Sequence, residues 1–330
     1  MSPTKIEWAD ETWNPLRARR RDGTGKVGWA CVRVSPGCVN CYAATQNRTG
    51  WAGGTGLDYT VPDLAKVEPF LDEKVLALPS HWRNPRRVFV CSMTDVFGEW
   101  VGALDVGRLL NVAGSEPEHQ FLFLTKRAER MRTVMAAYYE TTRQKPLPNV
   151  WLGVSVEDQQ RADERIPHLL ATPAAVRFIS AEPLLGPVNL KRVRVANADG
   201  YDHFYDALGG YSDMSRDNPT QVDRRDGWMG LAPGQIDWVI CGGESGSRAR
   251  PMDLAWARSI VEQCRAAAVP VFVKQLGAHP YTQAGDEHGW PLGTGFERRG
   301  DSLLIAKVRD RKGGDPEEWP EDLRIREWPL

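Results

Sequence analysis

Seven short apolar runs, rich in β-branched and aromatic residues, recur along the chain and predict β-strands. Most are continuous, without strict alternation of apolar and polar residues, which is typical of strands buried on both faces of a parallel sheet. The predicted strands span residues 27–31, 88–93, 120–125, 150–156, 177–181, 237–242 and 269–274.

Segments able to form helices separate most of these strands and span residues 103–112, 126–139, 158–171 and 254–268. Pro270 cannot continue the last helix, but it can open the strand that follows. Repeated βα units predict an α/β fold, a partial or closed βα barrel of the TIM-barrel type, in preference to an open doubly wound sheet.

Two segments interrupt the alternation of strands and helices. Residues 192–235 are polar and turn-rich, which predicts an insertion after the fifth strand and a candidate lid. The glycine-rich segment 278–330 predicts a C-terminal extension with little helix. We therefore expect residues 1–277 to form the barrel with its insertion, and the extension to pack on it.

The charge balance gives no sign of a global basic field. The 330 residues contain 42 lysines and arginines against 43 aspartates and glutamates, so any contact with nucleic acid must be local.

The N-terminus has no apolar signal core, and no apolar run approaches the roughly 18 residues of a membrane span. We expect a cytoplasmic protein without membrane contact, in which six cysteines indicate a metal site or redox chemistry more than disulfides.

Three cysteines, Cys31, Cys38 and Cys41, lie within eleven residues in the spacing C-x6-C-x2-C. Three thiolates on one loop can hold three irons of a [4Fe-4S] cluster and leave the fourth iron open. Pro36 and Gly37 lie between them as a turn that would bring the sulfurs together. These cysteines are the predicted metal ligands.

Two alternatives remain for this loop. Zinc usually binds four ligands arranged as two pairs, and here Cys91, Cys241 and Cys264 are scattered and the six histidines show no ligand spacing. A zinc knuckle completed by a distant histidine stays open, as does a loop of three thiols that bind no metal.

Polar side chains follow the carboxyl ends of the predicted strands. In a βα barrel these positions converge on the face that carries the active site. Taken singly, an acid after a strand is more often a helix cap or a loop residue. Together with the cysteine loop they predict a site. They are Ser92, Asp95, Thr125, Lys126, Ser155, Glu157, Glu182, Glu244, Lys274 and Gln275.

The cysteine loop, which ends in Cys41-Tyr42-Ala43, is similar to the cluster loop of radical S-adenosylmethionine (SAM) enzymes. More closely, the chain resembles the phage-associated, radical-SAM-like three-cysteine-motif family of phages, prophages and bacterial genomes. The matching stretches are IEW (6–8), TWNP (12–15), SPGCVNCYA (35–43), FVCSMTDVF (89–97), LTKR (124–127), WLGVSVE (151–157), SAEPL (180–184), CGGESG (241–246) and FVKQ (272–275).

The resemblance implies a radical-SAM-type barrel and an enzyme that cleaves SAM reductively. The open iron would bind SAM, an electron would break its carbon–sulfur bond, and a deoxyadenosyl radical would remove hydrogen from a substrate. The electron would come from a reductant protein such as flavodoxin or ferredoxin. The usual spacing in radical SAM enzymes is C-x3-C-x2-C, so the six-residue first gap is a departure that makes the use of SAM an implication only.

The resemblance also implies roles for the strand-end residues. Lys126, Lys274 and Gln275 would face the substrate. A SAM site would be formed by Tyr42, Ser92, Asp95, Ser155, Glu157, Glu182, Gly242, Gly243 and Glu244. Of these, Ser92 and Asp95 would bind the amino group, Ser155 and Glu157 the ribose, and the glycines with Glu244 the adenine side, since glycine allows close backbone approach.

A nucleic-acid substrate, for repair or modification, is one hypothesis, because basic residues alternate with tryptophans and the loop is similar to that of spore photoproduct lyase. An ordinary solvated surface explains the same pattern. The basic and aromatic residues are Arg17, Arg19, Arg20, Arg21, Lys26, Arg83, Arg86, Arg87, Lys126, Arg127, Arg130, Arg132, Trp13, Trp29, Trp51 and Trp82.

Two other functions stay open for this chain: a redox-sensing cluster protein without catalysis, and a zinc-stabilised βα-barrel hydrolase or binding module.

Overall fold

The computed structural model describes residues 4, 6–50, 53–196, 202–213, 234–287, 289–300 and 302–329. The fold is mixed α/β. The chain divides into two compact units: unit 1 comprises Met1–Val154 with Thr172–Val176, and unit 2 comprises Ser155–Ala171 with Arg177–Leu330.

The first part of the chain, as far as the strand at the boundary of unit 1, contains short strands and three short helices before two longer βα pairs. In chain order these are β1 (Glu11–Trp13), β2 (Leu16–Arg20), β3 (Val27–Gly28), α1 (Tyr42–Thr49), α2 (Val61–Leu64), β4 (Val67–Leu71), α3 (Glu73–Leu76), β5 (Arg87–Val90), α4 (Ala103–Ser115), β6 (Gln120–Thr125), α5 (Ala128–Thr142) and β7 (Val150–Ser155). Single 3-10 turns lie at Pro36–Cys38 and Leu78–His81.

The remainder of the chain contains two long helices and more antiparallel strands. Its elements are α6 (Gln159–Leu170), β8 (Val176–Ala181), β9 (Val193–Ala196), β10 (Asp202–Asp206), β11 (Tyr211–Asp213), β12 (Trp238–Gly242), β13 (Met252–Asp253), α7 (Leu254–Ala266), β14 (Val271–Gln275), β15 (Pro280–Gln283), β16 (Gly295–Arg299) and β17 (Leu303–Lys307). Two 3-10 turns follow, at Pro316–Glu318 and Glu321–Leu323.

The main sheet has seven parallel strands in the order β1-β5-β6-β7-β8-β12-β14. Six of the seven predicted strands belong to it, which confirms the interpretation of the continuous apolar runs. Its order ends at β1 on one side and at β14 on the other, so among the described residues the sheet does not close into a complete barrel.

The first predicted strand, 27–31, is wrong in place and in length. Only Val27–Gly28 is extended as β3, and it pairs antiparallel with β2 in a separate three-stranded sheet, β3-β2-β4. The first parallel strand is β1, which pairs with β5 in the register Glu11 to Val88. The sequence prediction missed β1 because three residues, of which the first is charged, do not form an apolar run.

Each unit has its own apolar core. In unit 1 the side chains of Phe121, Leu122 and Phe123 on β6 are fully buried, so both faces of this strand are covered. In unit 2 the same holds for Val239 and Ile240 on β12. Consecutive buried residues on one strand are the reason that these runs are continuous and not alternating.

Helix boundaries follow capping chemistry. Asp158 caps α6 by accepting a hydrogen bond from the Arg161 amide (2.9 Å), and Asp253 caps α7 through the Ala255 amide (2.9 Å). The four helices predicted from the sequence are confirmed as α4 to α7, with ends displaced by up to three residues. No helix in the described parts of the chain is long and apolar enough to span a membrane.

The described part of the predicted insertion is a three-stranded antiparallel sheet, β11-β10-β9. Its residues 197–201 and 214–233 lie outside the described residues, and with them most of the candidate lid. The C-terminal segment contains β15, β16 and β17, which form a four-stranded sheet with β13 in the order β13-β15-β17-β16. It contains little helix, as expected.

Candidate functional site

The cysteine loop lies in the chain segment that connects the parallel neighbours β1 and β5. Cys31 comes three residues after β3, Cys38 ends the 3-10 turn, and Cys41 is the N-cap residue of α1. The turn is closed by a hydrogen bond from the Cys38 amide to the Ser35 carbonyl (2.9 Å). The Pro36-Gly37 turn expected from the sequence is therefore present.

The three sulfurs are available for ligation, but they are not arranged around one point. All six cysteines are free, and Cys31, Cys38 and Cys41 are half-buried. Their three sulfur atoms do not all lie within 4.8 Å of one another. A zinc ion with 2.3 Å bonds would need sulfurs about 3.8 Å apart. A cubane needs no such proximity, because each thiolate binds a different iron.

The surroundings of the loop are apolar. Cys31 and Cys41 pack against a buried cluster that includes Trp29, Tyr59 and Met93. Burial, followed by the charge of Asp95, raises the pKa of the Cys31 thiol to about 12.

Burial also raises the pKa of Cys41, against the Ala44 and Ala43 amides and the charge of Lys126, which lower it. The thiols of Cys31 and Cys41 are therefore protonated at neutral pH, and a bound metal would have to displace these protons.

A buried ion pair between Arg127 and Asp95 holds the loop. Arg127 donates from Nη1 to Asp95 Oδ2 (3.1 Å), from Nε to Glu99 (2.9 Å) and from Nη2 to the carbonyl of Val32 (2.9 Å). Asp95 also accepts from Thr125 Oγ1 (2.7 Å) and from the Lys126 amide (3.1 Å). The Asp95 carboxylate is thus engaged with protein donors, and Arg127 ties the end of β6 to the residue after Cys31.

A second set of bonds joins the cysteine loop to the turn after β5. Tyr42 donates from its hydroxyl to the Ser92 carbonyl (2.6 Å), and Thr94 Oγ1 donates to the Ala30 carbonyl. Asn14 Oδ1 accepts from Ser92 Oγ (3.2 Å) and from the Met93 amide (3.1 Å). Within unit 1 the structure therefore brings the three cysteines together with Tyr42, Ser92, Asp95 and Lys126.

Sequence reasoning missed Arg127, Asn14 and Thr94 as positioning residues of this site. The sequence places Arg127 in a basic cluster and in a motif stretch, whereas the structure buries it, with 8% of the residue exposed. The signal was present in the sequence, because Asn14, Thr94 and Arg127 all lie inside the motif stretches. Spacing alone did not show which backbone carbonyls they contact.

In unit 2, Ser155 and Glu157 surround a buried arginine. Arg165 Nη1 donates to the Ser155 carbonyl (2.7 Å) and to Glu157 Oε2 (2.8 Å), and Glu157 is fully buried. Arg165 was not recognised from the sequence, because it lies on a helix among charged neighbours. These bonds fix the middle of α6 against the end of β7 and the loop that follows it, a structural role that competes with ribose binding.

Glu182 and Lys274 form an ion pair at the carboxyl ends of β8 and β14. Lys274 Nζ lies 3.0 Å from Glu182 Oε1, and Ser180 Oγ donates to Oε2 (3.1 Å). Strand β12 lies between β8 and β14, and its residue at this level is Gly242. A Cβ there would lie 3.2 Å from Glu182 Oε1, so the glycine leaves room for the pair.

Gly243 and Glu244 are engaged within the protein as well. A Cβ on Gly243 would lie 2.3 Å from the Leu276 carbonyl oxygen, and Gln275 Nε2 donates to the Gly243 carbonyl (2.7 Å). Glu244 binds Arg250 through both carboxylate oxygens, at 2.6 and 2.9 Å. The Gly-Gly pair thus serves close packing of two backbone segments.

Two of the four tryptophans of the basic clusters are used inside the protein, Trp82 is half-buried, and Trp51 lies outside the described residues. Trp13 and Trp29 are buried. The guanidinium of Arg17 stacks on Trp29 at 4.7 Å and that of Arg19 on Phe70 at 4.7 Å. These side chains do not present ring faces on which bases would stack.

Comparison with known proteins identifies one family. Residues 3–315 match the family described as "Protein of unknown function (DUF5131)". No curated protein and no solved structure matches the chain.

Proposed function

We propose that this chain, which belongs to the DUF5131 family, is a radical-SAM-type enzyme that binds a [4Fe-4S] cluster through Cys31, Cys38 and Cys41. The observation that carries the proposal is the set of three free, half-buried thiols on one loop whose backbone is held by a buried arginine. When bound, the cluster would supply the electron that cleaves SAM, with a protein such as flavodoxin or ferredoxin as donor.

The donor set suits a cluster better than a single zinc ion. Three thiolates on one short loop match an iron–sulfur cluster with one open iron. The alternative zinc knuckle requires ligand atoms that converge on one point, and the three sulfurs are too far apart for that. The apolar wall of Trp29, Tyr59 and Met93 favours cluster binding, because an apolar shell limits access of water to the metal.

The chain's own residues fix the loop in this proposal. Arg127 donates to the Val32 carbonyl, Asp95 orients Arg127 by accepting from it, and Tyr42 links the start of α1 to the turn after β5. Asp95 then acts as a positioning residue in place of a SAM ligand, because Thr125, Lys126 and Arg127 already donate to it.

For cofactor and substrate contacts, we favour the Glu182–Lys274 pair over the other acids of unit 2. The side chain of Lys274 is 21% exposed, whereas Glu157 is fully buried against Arg165. Gly242 leaves room for the Glu182 carboxylate beside the strand. A nucleic-acid substrate is not favoured by the tryptophans, because Trp13 and Trp29 are buried.

The test is the iron and sulfide content after anaerobic reconstitution. We expect about four irons and four sulfides per chain in the wild type, as a [4Fe-4S] cluster requires, and a loss of both in Cys38→Ala. Cys264→Ala is the matched control, because Cys264 is buried on α7 and is not part of the cysteine loop, and it should retain the cluster. Equal iron content in Cys38→Ala and the wild type would contradict the proposal, as would a wild type that binds zinc alone.

A further inference from the structure

Glu116, Glu118 and His119 form a compact group outside the cysteine site. One ligand atom from each of the three side chains lies within 4.8 Å of the other two. The group follows α4 and directly precedes β6, so it lies at the amino end of that strand, whereas Thr125 and the Asp95–Arg127 pair lie at its carboxyl end.

His119 is the unusual member of the group. Its side chain is fully buried, and among the described residues neither Nδ1 nor Nε2 has a hydrogen-bond partner. Its ring instead packs edge-on against Trp82 at 5.4 Å and Phe121 at 6.2 Å. Burying an imidazole without a partner is unfavourable, and a metal ion bound at one ring nitrogen would remove that cost.

The two carboxylates are also unfavourably placed in the absence of a cation. Glu116 is the C-cap residue of the 13-residue helix α4, where the helix dipole is negative and repels acids. In the described part of the chain neither Glu116 nor Glu118 forms an ion pair. Glu118 is exposed and Glu116 is half-buried, so an ion has access from solvent.

The backbone that carries these side chains is held rigidly. The buried Asn149 side chain donates to the carbonyls of Ala113 (2.8 Å), Glu116 (3.1 Å) and His119 (3.0 Å). The His119 amide also donates to the Glu116 carbonyl (3.1 Å). Such support keeps ligands in place before the ion arrives.

We propose that Glu116, Glu118 and His119 bind one divalent transition-metal ion of the zinc class, separate from the cysteine loop. One imidazole and two carboxylates are a nitrogen and oxygen donor set that such ions accept. The site is independent of the proposed cluster, since it shares no residue with it.

The test is a Co²⁺ titration of the reduced, metal-free protein, followed by optical absorption. Thiolate ligands give strong near-ultraviolet charge-transfer bands, whereas imidazole and carboxylate ligands do not, so the two sites are distinguished in one experiment. We expect one Co²⁺ per chain without thiolate bands. Its affinity should fall at least tenfold in Glu118→Gln and in Glu116→Gln, and it should be unchanged in Glu140→Gln, an exposed control on α5.

A second readout addresses the buried imidazole directly. Zn²⁺ should shift the ring resonances of His119 in the wild type, and Glu118→Gln should need at least tenfold more Zn²⁺ for the same shift. Binding that is insensitive to both glutamate substitutions, or binding only with thiolate bands, would overturn the proposal. An unmoved His119 signal in the wild type would overturn it as well.

Discussion

Arg127 donates a hydrogen bond from Nη2 to the main-chain carbonyl of Val32 at 2.9 Å, although the two residues are 95 positions apart in the sequence. Val32 directly follows Cys31, and Arg127 directly precedes α5. The bond therefore couples the cysteine loop to the end of the buried strand β6. Because the same guanidinium pairs with Asp95 and stacks on Trp100 at 4.7 Å, its position is strongly constrained.

Replacing Arg127 by lysine should loosen the cysteine loop. Lysine keeps the charge but cannot donate to Asp95, Glu99 and Val32 at the same time. We expect a loss of about 1.5–3 kcal/mol in the free energy of unfolding, the range for hydrogen bonds to charged groups. Amide hydrogen exchange at residues 31–34 should become faster. Arg132→Lys, on the helix α5 that follows Arg127, is the control, and equal protection of the loop in both variants would refute this role.

An alanine at position 243 should destabilise the chain strongly. Its Cβ would lie 2.3 Å from the Leu276 carbonyl oxygen, so the backbone must shift. We expect the free energy of unfolding to fall by about 1–3 kcal/mol, the usual cost of overpacking. Gly107→Ala should have the opposite sign, a gain of about 0.5–1 kcal/mol, because Gly107 lies inside α4 with its nearest neighbour at 3.7 Å. Urea unfolding of both variants tests the difference in sign.

The Arg165–Glu157 ion pair should be costly to break. Both side chains are buried, so Arg165→Met would remove the hydrogen-bonded cation from a fully buried carboxylate. We expect a loss of about 3–5 kcal/mol. Arg161→Met on the same helix removes an ion pair with the half-exposed Glu164 and should cost at most about 1 kcal/mol. Thermal unfolding of the two variants should separate them clearly, and similar melting temperatures would contradict a structural role for the pair.

Glu318 should make stability depend on pH in the acid range. Burial would raise the pKa of this carboxyl, but hydrogen bonds from the amides of Asp310 and Arg309 and from the Arg309 guanidinium lower it. A folded-state pKa below the unfolded value gives stability that is present above the unfolded pKa, about 4.5, and is lost as pH falls through the folded pKa.

The measurement is the difference in unfolding free energy between the wild type and Glu318→Gln from pH 7 to pH 3. We expect the wild type to be more stable at pH 7 and the difference to shrink below about pH 4.5. Glu317→Gln, an exposed neighbour, should show no such trend. A difference that stays constant with pH would contradict the assignment.

Where long apolar runs decide the structure, the sequence was sufficient. Residues 120–125 were predicted as a strand and form β6, because the short continuous apolar run 121–124 is typical of a strand buried on both faces. The three-residue strand β1 was missed because its pairing depends on β5, more than 70 residues away. The segment 27–31 was placed in the wrong sheet, since its partner β2 contains three arginines and does not resemble a core strand.

The candidate site was likewise predictable from the sequence only in part. The turn at Pro36–Cys38 follows from local chemistry and was predicted. The acids at the strand ends were identified by position, but their partners were not, because Arg165 and Arg250 lie 8 and 6 residues from the acids they bind. Which carboxylates are occupied by arginines depends on side-chain packing, and spacing does not report it.

The most direct test of the cluster and of its use is electron paramagnetic resonance of the reconstituted, dithionite-reduced protein with and without SAM. We predict a cubane signal that changes when SAM is added and that is absent in Cys38→Ala. A cluster signal indifferent to SAM would contradict the enzyme proposal and favour a redox sensor. Absence of any cluster signal in the wild type would contradict the central claim that the three cysteines bind iron and sulfide.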